Sequence, residues 1–129
     1  MDFNKYYYES SCSYKLGNCE SFAIALSELT NNPLYVVRGY YYDDILDEES
    51  YEDCHIVVKS GSKYIDVDGF KSDKELKRNC AFMNEIQRIE IEEISKEEAQ
   101  YIFSSEGVSE EDITKAKDLI LKDRNKYGF

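Results

Sequence analysis

Cys54-His55-Ile56-Val57-Val58-Lys59-Ser60-Gly61-Ser62-Lys63-Tyr64-Ile65-Asp66-Val67-Asp68-Gly69 decides the fold. Two β-prone runs, 54–59 and 63–67, flank a Ser-Gly-Ser turn and together make the clearest hairpin signal in the chain. Side chains alternate along a strand, so His55, Val57 and Lys59 share one face while Ile56 and Val58 take the other. Ser62, Tyr64, Asp66 and Asp68 share a face by the same count. A two-residue turn at Ser60-Gly61 sets His55 opposite Asp66, and a turn at Gly61-Ser62 sets it opposite Asp68. Either register puts a carboxylate across from the one histidine of the sequence.

Upstream of the hairpin, residues 19–29 read as a helix. Asn18 is a good N-cap, Glu20 suits the first turn, and Cys19, Phe22, Ala23, Leu26 and Leu29 recur at helical spacing. The single proline, Pro33, follows Thr30-Asn31-Asn32 where that helix stops. Residues 34–42 are β-branched and aromatic and predict a strand bent at Gly39, followed by an exposed acidic loop from Asp43 to Asp53. Downstream, Asp68-Gly69 ends the hairpin. Ser72 and Glu75 form a capping box for a short helix over 72–77, and residues 87–92 alternate like a half-buried strand. Ser95 with Glu98 opens a helix to about Phe103, and Ser109 with Asp112 opens a longer one with Ile113, Ala116, Ile120 and Leu121 on one face. Helix, strand meander and helices predict an α+β fold, with residues 1–129 as a single domain.

The charge balance narrows the partners. Lys and Arg total 16 against 27 Asp and Glu, a formal charge of -11, so binding nucleic acid through phosphate neutralisation is not expected. The field favours cationic partners, a basic protein or peptide among them, and an acidic surface also suits a non-enzymatic inhibitor that imitates DNA. No basic n-region leads the chain and no apolar run reaches membrane-spanning length, so the expectation is a soluble cytoplasmic protein without membrane contact. In a reducing compartment Cys12, Cys19, Cys54 and Cys80 are expected as free thiols. Zinc is not expected, because no Cys-x-x-Cys pair is present and adjacent Cys54 and His55 alternate across a strand.

A thiol at a helix start is stabilised as thiolate by the helix dipole and by a nearby imidazolium, so Cys19, His55 and a carboxylate supply a nucleophile, a base and an orienter. Cys19 also fits the bland role of filling the apolar stripe it shares with Phe22 and Leu26. The order is carried by Gly17-Asn18-Cys19-Glu20-Ser21-Phe22-Ala23-Ile24-Ala25-Leu26, Cys54-His55-Ile56-Val57-Val58 and Tyr64-Ile65-Asp66-Val67-Asp68-Gly69. It resembles the papain-like cysteine-peptidase superfamily, particularly its small transglutaminase-like and bacterial or phage members. The resemblance spans about the middle half of the chain and implies a Cys-bearing helix packed on a small antiparallel sheet with C-terminal helices. It implies catalytic roles for Cys19, His55 and Asp66, action on amide or isopeptide bonds, and no cofactor. Asp66 is favoured because the family's third residue lies in a tyrosine-containing strand like Tyr64-Ile65-Asp66, with Asp68 the alternative. If the chain is a phage product, it would act in the host cytoplasm. One departure stands out: Ser11-Cys12-Ser13-Tyr14-Lys15-Leu16 holds no glutamine, which leaves Ser13 or Tyr14 to join the Cys19 N–H as oxyanion donor. Tyr6-Tyr7-Tyr8 and Tyr40-Tyr41-Tyr42 suit a substrate groove or, more simply, half-buried strand positions.

Overall fold

A helix and a long hairpin set the frame. The computed structural model describes residues 19–80, 88–103 and 106–128, with the side chains of Cys19, Asn79 and Cys80 excepted. Helix α1 (Cys19–Thr30) leads through a left-handed Asn31, φ 61°, and Pro33 into β1 (Leu34–Asp43). There follow β2 (Glu48–Ser60), β3 (Lys63–Asp66), β4 (Gly69–Lys71), α2 (Asp73–Cys80), β5 (Arg88–Ile94), α3 (Lys96–Tyr101), α4 (Glu110–Lys122) and a 3-10 turn over Arg124–Tyr127. The strands form one antiparallel sheet in the order β4-β3-β2-β1-β5. The α+β expectation stands, with α1 laid on the sheet.

Each face of the sheet carries its own apolar cluster, as alternation requires. On one face Val36, Ile56, Val58 and Ile65 meet Phe22, Ala23, Ile24, Ala25 and Leu26 of α1, with Ala99 of α3 and Ile113, Ala116 and Ile120 of α4 closing over them. On the other, Val37, Cys54, Val57 and Tyr64 meet Leu76 of α2, flanked by Tyr35, Ile89 and Ile91. Three helix starts are capped as the sequence predicts, while Asn18, the cap expected for α1, lies outside the described residues. Ser72 accepts from the Glu75 N–H (3.1 Å) while Glu75 accepts from the Ser72 N–H (3.1 Å), and Ser95 and Ser109 accept from the N–H groups of Glu98 and Asp112.

The acidic stretch departs from the expected loop. Residues 48–53 belong to β2 and pair with 38–43 of β1, so the connection shrinks to 44–47. Cross-strand chemistry explains it: Arg38 binds Asp53 at 2.6 Å, Tyr40 packs on Tyr51, and Arg88 of β5 reaches Glu49, so charges that read as solvated are held by neighbours on the ribbon. The irregularity expected at Gly39 falls between Val37 and Arg38. There Cys54 is an extra residue in β2 and forms a bulge. Leu121, expected on the buried face of α4, is 39% exposed.

Two further elements were not foreseen. Asp68-Gly69 does not end the hairpin but passes into β4, with Asp66 facing Gly69. The 3-10 turn then folds back on this region. Tyr127 is buried against Phe22 and donates its hydroxyl to the Val67 carbonyl at 2.7 Å. Gly128, at φ 89°, leaves the edge of the Phe70 ring so close that a Cβ would lie 2.9 Å from it.

Candidate functional site

The hairpin turn is Gly61-Ser62, since Ser60 pairs with Lys63. Extending that register would set His55 opposite Asp68. The ladder between β2 and β3 nevertheless stops at Val58 and Ile65, and β3 turns off at Val67-Asp68 to meet β4. The carboxylate that meets the imidazole is the diagonal neighbour: Asp66 Oδ2 lies 3.2 Å from His55 Nε2. Diagonal partners in a sheet lie within reach of long side chains, so the aspartate favoured by the resemblance is in contact although the turn took the other register. Both groups are sealed, His55 at 0% and Asp66 at 2% exposure.

Asp66 is saturated with donors. Its Oδ1 accepts the Asp68 N–H at 2.9 Å, and Lys71 Nζ approaches Oδ2 at 2.9 Å while also reaching Asp68 at 3.2 Å. Burial alone would raise its pKa. The hydrogen bond and charge of His55, joined by Lys71, outweigh that and hold the carboxyl at about 2. Lys71, itself half-buried, stays charged because Asp66 and Asp68 more than offset its desolvation. Asp68 therefore serves the turn through its backbone and Lys71 through its side chain. Sequence reading missed Lys71. The available signal was the tight Val67-Asp68 turn, which brings Lys71 back opposite Tyr64, two residues from Asp66 on the same face.

Cys19 opens α1, as expected for a thiol at a helix start, and its side chain lies outside the described residues. Next to it Glu20 is buried in the first turn. Desolvation raises the Glu20 carboxyl, a backbone hydrogen bond opposes the rise, and Asp112 adds to it. The buried side of α1 packs on the face of Val36 and Ile56, whereas His55 pairs with Val37 and shares the other face. Cys54 departs from the free-thiol expectation: it is disulfide-bonded, to a cysteine whose side chain is outside the described residues. Ser13, Tyr14 and Tyr6 to Tyr8 also lie outside them.

Of the second tyrosine cluster, Tyr40 donates to Glu92 and stacks with Arg88 and Tyr51, Tyr41 is half-buried and Tyr42 is exposed. These are positions on the β1–β2 hairpin. Among the described residues no three His, Cys, Asp or Glu side chains converge as a metal centre requires, and no helix is long and apolar enough to cross a membrane. The chain matches no family model, no curated protein and no solved structure.

Proposed function

We propose that the chain is a small thiol enzyme of papain-like or transglutaminase-like kind, acting on amide or isopeptide bonds in a protein or peptide, with a basic substrate favoured by the charge of -11. The observation that carries the reading is the buried hydrogen bond from His55 Nε2 to Asp66 Oδ2 at 3.2 Å. Asp66, kept ionised, fixes the imidazole's orientation and supports its positive charge, which leaves Nδ1 as the nitrogen that exchanges a proton with the thiol. Cys19 Sγ attacks the carbonyl carbon and the N–H of Cys19 steadies the oxyanion. The C–N bond then breaks as His55 Nδ1 gives its proton to the leaving amine. The thioester passes to water, making a peptidase or deamidase, or to an amine, making a transglutaminase. The reading needs the Cys19 sulfur to reach His55, and it needs Cys54 to be joined to Cys12 or Cys80.

Limiting iodoacetamide near neutral pH, followed by peptide mapping, tests both needs. Cys19 should alkylate ahead of every other free cysteine, and both His55→Ala and Asp66→Ala should abolish the preference. Mapping that joins Cys19 to Cys54, or equal labelling of all free thiols in the folded chain, would sink the proposal. A second reading, an acidic non-enzymatic inhibitor or DNA mimic, draws support from the exposed carboxylates Asp44, Asp47, Glu48 and Glu52 on the β1–β2 hairpin. It demands no fast thiol. It also predicts salt-sensitive binding to DNA-binding proteins that survives Cys19→Ser.

A further inference from the structure

The β1–β2 hairpin outreaches the sheet. Pairing of β1 with β5 ends at Tyr40 and Arg88, so beyond that point the described partners of β1 are those of β2 alone. At the tip, Ile45 is 94% and Leu46 59% exposed, an unusual display of two large aliphatic side chains side by side. The turn that displays them is held in place: Asp43 Oδ1 accepts the N–H groups of Ile45 at 2.9 Å and Leu46 at 3.2 Å, and Asp47 closes the turn at φ 55°. Asp43, Asp44, Asp47 and Glu48 surround the pair with negative charge.

The opposite chemistry lies at the end of α4. Leu29, Thr30, Asn32, Leu121, Arg124 and Gly128 line an open cleft of about 480 Å³. Its apolar wall includes Leu121, the residue that α4 turns outward instead of into the core. Exposed Arg124 stands at the rim, and exposed Lys122 and Lys126 flank it in sequence against the single acid Asp123. A cleft that offers the side chains of Leu29 and Leu121 beside a basic margin complements an apolar tip with an acidic margin.

We propose that the Ile45-Leu46 tip of one copy docks into the Leu29–Leu121–Arg124 cleft of a second copy. Two different surfaces meet, so the contact is heterologous, and every copy offers one tip and one cleft. This stands independently of the thiol chemistry.

Sedimentation velocity of the full chain over a concentration series tests it. The average mass should rise with concentration at low salt and fall back at high salt, since charges at the margins are screened. A variant with Ile45→Asp and Leu46→Asp keeps the cleft, and Arg124→Glu keeps the tip. Each should weaken association at least about tenfold, equivalent to about 1.4 kcal/mol. Mixing the two, once near-ultraviolet circular dichroism shows both native, should restore pairing, because one intact tip then meets one intact cleft. A chain monomeric at every concentration, association indifferent to either variant, or native variants that fail to pair on mixing would each overturn the proposal.

Discussion

Asp66 concentrates the electrostatics of the site in one side chain. Its carboxyl titrates at about 2 instead of 3.8 because His55 and Lys71 favour the charged form more than burial disfavours it. A depressed folded value means that the stabilisation is complete above the unfolded pKa and is lost as pH falls through the folded one. A shift of this size corresponds to about 2 kcal/mol. Urea midpoints should therefore fall between pH 4 and pH 2 in the native protein, and Asp66→Asn should flatten that part of the profile. Lys71→Met takes away one of the groups that depress the carboxyl, so its folded value should move up towards 3.8 and the acid loss should become smaller and end at a higher pH. If Lys71→Met leaves the acid limb where it was, His55 alone sets the carboxyl's charge.

At the level of elements, caps and turns do more to define the boundaries than periodicity does. Ser72→Ala deletes the acceptor for the Glu75 N–H and should cost about 1 kcal/mol in urea unfolding, with Ser72→Asp largely restoring it. The loss should spread beyond the cap, because α2 carries Leu76, 0% exposed, into the second cluster. The three serine caps, α1 and the hairpin around Gly61 were legible in the sequence because their signals are local. The first half of β2 was not. Two of its acidic residues, Glu49 and Asp53, look solvated until Arg38 and Arg88, distant in sequence, arrive from β1 and β5 to hold them. The site shows the same division. His55 and an aspartate on the matching face follow from alternation, whereas the choice of Asp66 depends on where the β2–β3 ladder stops. That point is set by β4, an element three residues long. Lys71 belongs to β4 and was lost with it.

Across the whole molecule, the covalent state of the cysteines bears on both clusters. With Cys54 in a disulfide, the denatured, unreduced protein should show at most two titratable thiols of the four cysteines, and reduction should lower the thermal midpoint. Four thiols with an unchanged midpoint would remove the crosslink. The 3-10 turn over Arg124–Tyr127 ties α1 to the segment that follows β3 without a covalent bond. Tyr127 hangs its hydroxyl on the carbonyl of Val67, the residue next to Asp66, while its ring lies against Phe22 on the helix that Cys19 begins. A chain cut back to Asp123 should remain folded around its main cluster; under the thiol chemistry proposed above it should also lose selectivity in cysteine alkylation, and Tyr127→Phe should show a weaker form of the same defect. The 3-10 turn thus works as a latch: one tyrosine clasps both the strand that carries Asp66 and the helix that Cys19 begins, so that neither can shift without the other.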